Sequence, residues 1–246
     1  MSEAPSRDRV REHVLGLAES DPRVVAAAVI GSLAQGDGDR WSDLDLTFGV
    51  DTASSVPEVL DDWTRDLAET FTAAPLLDLA RGDLVYRVFM FPDWLQVDLS
   101  FAPESARQTG PAFSVLFGAH SVELAPSPSA EELFGWAVLY ARHAFVAIAR
   151  EQWWHAEYCV SAVRDYALTL ACLRRDLPTG YGKGFDHLPP SVLEAFDDAL
   201  VRSPERDELV QSLGVAVSGL MRETEDVELA GALDGQLRGL TGHDGS

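Results

Sequence analysis

The sequence predicts an α+β chain in two parts: a mixed β-sheet flanked by helices over residues 1–125, then an all-α helical bundle over residues 126–246. Three observations lead there. Apolar runs of strand length alternate with helical patterns through the first half. Ala125-Pro126-Ser127-Pro128-Ser129 has the composition of a linker. Beyond it only helical periodicity remains.

From the N-terminus, Arg7 to Glu19 reads as a helix, with Val10, Val14, Leu17 and Ala18 on one face, stopped by Asp21-Pro22. Val24 to Ile30 is a continuous, partly β-branched run that fits a buried strand. The small-residue segment Gly31 to Gly38 follows, then a second strand from Leu44 to Val50. Val56 to Ala74 is helical, with Val59, Leu60, Trp63, Leu67 and Phe71 at helical spacing, and Leu76 to Ala80 fits a short strand. Leu84 to Phe91 and Leu95 to Phe101, joined at Pro92-Asp93, read as a hairpin. In the second half, helices are expected over Ala130–Arg150 and Gln152–Asp176. A Gly-rich loop over Pro178–Phe185 comes next, then a helix started by Pro189-Pro190, helices over Glu205–Met221 and Thr224–Leu237, and a disordered tail from Thr241.

Composition narrows the function. Forty acidic residues against nineteen basic ones give a formal net charge of −21. Phosphate neutralisation dominates nucleic-acid affinity, so a chain this acidic, with no basic cluster beyond Arg174-Arg175, is not expected to bind nucleic acid. It is expected to attract cations. No apolar run approaches the roughly 20 residues of a membrane span. The polar start, MSEAPSRDRVREH, lacks the apolar stretch of a secretory signal, so a soluble cytoplasmic protein with no membrane partner is expected. Cys159 and Cys172 match no zinc or redox spacing and are expected as buried free thiols.

The chemistry concentrates in Gly31-Ser32 and, eleven residues on, Asp43-Leu44-Asp45 at the head of a strand. Residues two apart on a strand share a face, so Asp43 and Asp45 place two carboxylates together while Leu44 points into the core. Such a pair is relieved by a shared proton or a bound cation. Hard oxygen ligands on a rigid strand suit Mg²⁺. Asp98, within Gln96-Val97-Asp98-Leu99, is a third acid in a hydrophobic strand and needs a purpose or a partner, such as Arg87. Three carboxylates from neighbouring strands can hold two metals roughly 3.5–4 Å apart, the arrangement that serves phosphoryl transfer. Gly31 permits close backbone approach to a phosphate, and a short helix opening at Ser32 would add a hydroxyl and free amides.

Gly31-Ser32-Leu33-Ala34-Gln35-Gly36 through Ser42-Asp43-Leu44-Asp45-Leu46 resembles the signature of the DNA polymerase β-type nucleotidyltransferase superfamily, with Asp98 at the place of its third carboxylate. The resemblance covers about fifteen residues plus one distant acid. It implies a small mixed sheet flanked by helices, two Mg²⁺ ions and an NTP donor, ATP being the expected one. Asp43, Asp45 and Asp98 would then be metal ligands and catalytic residues, with Asp98 also a candidate general base. The helical half resembles the aminoglycoside and lincosamide nucleotidyltransferases, which implies AMP transfer to a hydroxyl of a small acceptor and a role in antibiotic resistance. The acidity favours a cationic acceptor such as an aminoglycoside.

Two further features sit in the helical half. Glu157, Ser161, Arg164 and Asp165 line one face of an otherwise apolar helix, either to meet an acceptor or as an internal ion-pair network. Glu157 is accordingly a candidate catalytic residue. Trp153-Trp154 beside it read as a stacking wall or as core. Lys183 is the only lysine of the chain and lies between glycines in Gly180-Tyr181-Gly182-Lys183-Gly184-Phe185. That segment resembles the Gly-Lys loop by which related enzymes contact the donor triphosphate. With Gly31 and Ser32 it completes the expected nucleotide-binding set. Two other readings remain open: a protein adenylyltransferase of the antitoxin type, and a non-catalytic nucleotide-binding module.

Overall fold

The computed structural model describes residues 5–36, 39, 41–104, 113–118, 128–225 and 227–241. The chain divides into two compact units, Met1–Ala125 and Pro126–Ser246.

The first unit is an α+β arrangement on a six-stranded mixed sheet of order β3-β4-β5-β2-β1-β6. Its strands are β1 (Val24–Ile30), β2 (Leu44–Val50), β3 (Ala74–Arg81), β4 (Leu84–Met90), β5 (Gln96–Pro103) and β6 (Phe113–Phe117). Helix α1 (Arg7–Ser20) precedes β1, the single turn α2 (Ser32–Gln35) follows it, and α3 (Val56–Phe71) lies between β2 and β3. Ser6 caps α1 by accepting the Arg9 amide hydrogen at 3.3 Å. Strands β2 and β5 are parallel, and the other pairings are antiparallel.

One sheet face is covered by α1 and α3. Val10 and Val14 of α1 and Val59, Leu60, Trp63 and Leu67 of α3 share a buried core with Leu44, Leu46, Phe48, Leu99 and Phe101. At its centre Trp63 meets Phe48 and Phe101 edge-on, with ring centroids 4.9 and 5.2 Å away. An ion-pair cluster closes the rim. Asp21 accepts from Arg23 at 2.8 and 2.9 Å and from the Trp63 indole at 3.1 Å. The Arg23 hydrogen bond holds the Asp21 carboxyl at about 2, well below its ordinary value.

Strand β6 was not expected from the sequence; it pairs with β1 alone, at the edge of the sheet. The hairpin turn runs through Pro92–Trp94, where Asp93 and Trp94 hold φ of 61° and 64°.

The second unit is all helical: α4 (Ala130–Ala149), α5 (Trp153–Leu173), the turn-length α6 (Pro190–Leu193), α7 (Arg206–Arg222) and α8 (Glu228–Thr241). Alanines 137, 141 and 144 of α4 and Ala156, Val160 and Val163 of α5 are fully buried, which lets the two long helices approach closely. Both cysteines are buried free thiols, and burial raises their pKa. The helix expected after Pro189-Pro190 is one turn long and passes into a 3₁₀ segment over Glu194–Ala199. Glu223 is nearly buried and pairs with Arg174 and Arg175, at 3.3 and 2.8 Å, so the chain's one basic doublet is internally neutralised. The expected disordered tail falls on residues 242–246, and most of the expected linker on residues 125–127; both lie outside the described residues.

Candidate functional site

The site forms where two parallel strands begin. β2 and β5 pair with Asp45 directly opposite Asp98. Their immediate neighbours Leu44, Leu46, Val97 and Leu99 alternate onto the helix-covered face and are fully buried. The apolar residues thus fix the register, and the register puts the two carboxylates together. Asp43 stands one residue ahead of β2. One oxygen from each of Asp43, Asp45 and Asp98 lies within 4.8 Å of the other two, and all three residues are partly exposed.

Three carboxylates at this spacing repel one another unless a cation or a proton intervenes. The donor set is all oxygen, which fits Mg²⁺ and discriminates against softer metals. The partial exposure of all three carboxylates leaves them accessible to a further ligand. The residues present therefore fit one or two hard divalent ions.

Gly31 bears on the same group. Its φ is +73°, and a Cβ at this position would stand 2.4 Å from Oδ2 of Asp45. The glycine is needed twice over, for the left-handed backbone and for the close approach to a carboxylate. Ser32 opens α2, but its side chain, like residues 37, 38 and 40, lies outside the described residues.

Two supports were not foreseen. The Gln96 side-chain amide donates to both oxygens of Asp98, at 3.0 and 3.1 Å, holding the carboxylate in a fixed orientation. Arg7 of α1 donates to the Ser42 carbonyl at 3.1 Å and to that of Asp39, tying down the segment that delivers Asp43. Asp39 in turn accepts from the Trp41 amide at 2.8 Å and from the Ser42 hydroxyl at 3.1 Å. The Trp41 amide is the main cause of its lowered pKa. An i to i+2 spacing such as Gln96/Asp98 is visible in sequence, but on a strand it reads equally as two solvated polar residues.

Arg87, considered as a partner for Asp98, pairs elsewhere. Its register partner on β5 is Leu99, which places it on the helix-covered face. There it donates to Asp78 at 2.7 Å, to Thr64 at 2.8 Å and to Asp61 at 3.2 Å. Its hydrogen bond lowers the Asp78 pKa.

In the helical unit, Glu157 accepts from the Ser161 hydroxyl at 2.8 Å, while Arg164 pairs with Asp165 at 2.7 Å. The polar face of α5 is thus two separate pairs among the described residues, not one network through Glu157. Trp153 packs against the core and Trp154 is exposed. Lys183 is exposed in a turn whose backbone closes through Lys183 N to Gly180 O at 3.1 Å. It makes no ion pair among the described residues. Gly184 anchors that turn, since a Cβ there would meet the Pro178 carbonyl oxygen at 2.2 Å. The same unit holds an open pocket of about 840 Å³. Asp165, Asp186 and Asp197 line it together with Tyr166, Tyr181 and Phe185. Asp165, on the polar face of α5, thus shares one pocket with Asp186; Glu157 is not part of its lining.

Fold and site together describe a sheet unit presenting a three-carboxylate, oxygen-donor centre, followed by a helical unit. No protein-family model matches the chain, and no curated protein matches it. Among solved structures it is similar to an aminoglycoside 6-adenyltransferase from Bacillus subtilis, at 12% identity and a TM-score of 0.35, over 96% of this chain and 98% of that one. No helix among the described residues is long and apolar enough to cross a membrane.

Proposed function

We propose that the protein is a Mg²⁺-dependent nucleotidyltransferase that transfers AMP from ATP to a hydroxyl of a small cationic acceptor, such as an aminoglycoside, and releases pyrophosphate. The observation that carries this reading is the Asp43/Asp45/Asp98 cluster, with its oxygens within 4.8 Å, backed by Gly31. The Gly-Ser and Asp-x-Asp signature in the same order supports it.

In this reading Asp43, Asp45 and Asp98 would hold two Mg²⁺ ions, which would supply neutralisation of the charge that develops during phosphoryl transfer. Gly31, Ser32 and Lys183 are assigned to binding the donor triphosphate. The acceptor oxygen forms a bond to the α-phosphorus, the bond to the bridging oxygen of pyrophosphate breaks, and the hydroxyl proton passes to Asp98. Gln96 keeps Asp98 oriented for that transfer. Glu157 is assigned to the acceptor as a hydrogen-bond acceptor or base.

The test is pyrophosphate release from ATP and Mg²⁺ across a panel of aminoglycosides and lincosamides. Release that depends on both the metal and an acceptor, with an adenylylated acceptor seen by mass spectrometry, is the expected result. Labelling of protein from a lysate with no small-molecule product would instead favour a protein adenylyltransferase.

A further inference from the structure

Two exposed tryptophans stand just ahead of the strands that carry the carboxylates. Trp41 is 78% exposed and Trp94 is 85% exposed, the most exposed large apolar side chains among the described residues of the sheet unit. Their positions correspond. Leu44 of β2 pairs with Val97 of β5, and each tryptophan stands three residues ahead of its member of that pair. One indole therefore precedes Asp43 and Asp45 on β2, and the other precedes Asp98 on β5.

Trp94 is also held in an unusual way. It and Asp93 both occupy the left-handed region, at φ 64° and 61°. A bulky residue rarely adopts that conformation, and a turn needing it is ordinarily filled by Gly or Asn. The turn closes through Phe91 N to Leu95 O at 2.9 Å. A single exposed ring is ordinary, but one held by two consecutive positive-φ residues four positions ahead of a clustered carboxylate is a strained feature of the kind found at ligand sites.

The sheet order says which ligand. Gly31 ends β1, Asp43 and Asp45 begin β2, and Asp98 lies on β5, with β2 between the other two strands. This step rests on the proposed nucleotidyl transfer. In that reaction the attacking and leaving oxygens are roughly in line across the phosphorus. With donor phosphates on the Gly31 side, the acceptor enters from the β5 side, where Trp94 stands. The chain from Trp94 to Asp98 spans at most about 14 Å, within reach of a small multi-ring molecule. The exposed Asp93 beside it and the net charge of −21 favour a cation over that indole face.

We propose that Trp94 is the acceptor platform of this site, stacking on a ring that carries an ammonium group. The experiment is calorimetric titration of kanamycin, without nucleotide, into the wild-type protein, Trp94→Ala and Trp94→Phe. Thermal unfolding confirms that each variant is folded. Affinity falls about five- to thirtyfold in Trp94→Ala and by much less in Trp94→Phe. Three results overturn the proposal: no kanamycin binding to wild type, a loss under threefold in Trp94→Ala, or an equal loss in Trp94→Phe. A parallel titration with the magnesium complex of a non-hydrolysable ATP analogue is unchanged by either substitution. Its failure to bind wild type would sink the enzymatic reading, while the kanamycin titration still decides the role of Trp94.

Discussion

Gly31→Ala tests the carboxylate centre without touching a carboxylate. The new methyl group would lie 2.4 Å from Asp45 Oδ2, where ordinary contact begins at 3.4 Å, so about 1 Å of displacement is required. An aspartate oxygen is the free end of a short side chain and can rotate aside, so this part of the strain falls on the site rather than on the fold. The backbone adds its own term. Alanine at φ +73° is disfavoured relative to glycine by roughly 1–2 kcal/mol. Mg²⁺ tolerates little change around its ligand distance of about 2.1 Å, and a misplacement of about 1 Å in a reacting geometry can lower rates on the order of a hundredfold. Gly31→Ala is therefore expected to unfold a few degrees lower, to bind Mg²⁺ or its Mn²⁺ surrogate more weakly, and to turn over about a hundredfold more slowly. Thermal unfolding, Mn²⁺ titration by electron paramagnetic resonance and pyrophosphate release measure the three effects. A variant that loses only stability, with metal affinity and turnover within twofold of wild type, would refute the claim that Gly31 keeps Asp45 in place for a metal.

The remaining predictions address separate groups. Asp45→Asn removes an anionic ligand while relieving repulsion, so turnover falls by orders of magnitude and stability without Mg²⁺ is unchanged or raised; near-normal turnover at saturating Mg²⁺ would refute the ligand assignment. Lys183→Ala weakens binding of a non-hydrolysable ATP analogue by about ten- to a hundredfold, the loss of a charge-assisted contact, and leaves acceptor binding unchanged in calorimetry. Asp21 titrates at about 2 in the folded protein against 3.8 ordinarily, so its stabilising contribution is complete above about pH 4 and is lost as pH falls through 2. Asp21→Asn should accordingly cost about 2 kcal/mol in urea unfolding at pH 7, with the gap to wild type narrowing as pH approaches 2. For a polycationic acceptor, kcat/KM should fall steeply between about 0.05 and 0.5 M salt, because exposed attraction is screened over about 10 Å at 0.1 M. A flat response would leave the acidity as a solubility feature.

How much of this was legible in the sequence depends on where each feature's cause lies. β1 and β2 were read with their observed limits because β1 is a continuous apolar run between Pro22 and Gly31, while β2 alternates Leu44, Leu46, Phe48 and Val50 between Asp43 and Asp51. β3 is longer than the stretch Leu76 to Ala80, because Pro75 reads as a breaker; on this edge strand it sits at a register shift, where its missing N–H leaves no ladder bond unmade. β6 carries no comparable signal. Its five residues pair only with the distant β1, and Ser114, Val115 and Leu116 remain exposed, so neither burial nor local alternation marks them. The site divides in the same way. Asp43 and Asp45 are neighbours in sequence, and a lone acid in an apolar strand made Asp98 conspicuous. The Gly31 contact with Asp45 arises only when β1 and β2 are laid side by side, whereas the Gln96 clasp on Asp98 lies within β5 and went unread because an i, i+2 polar pair looks the same when it is merely solvated. Trp94 was hidden for a third reason: Pro92-Asp93 accounts for a turn, and nothing in a one-dimensional pattern says that the next residue will be forced to positive φ with its ring in solvent. Local order thus exposes residues whose chemistry is carried by spacing along one strand. It conceals those whose role depends on side-chain orientation or on a neighbouring strand, such as Gln96 and Gly31, and these are the residues through which the site's geometry can be tested without removing the acids themselves.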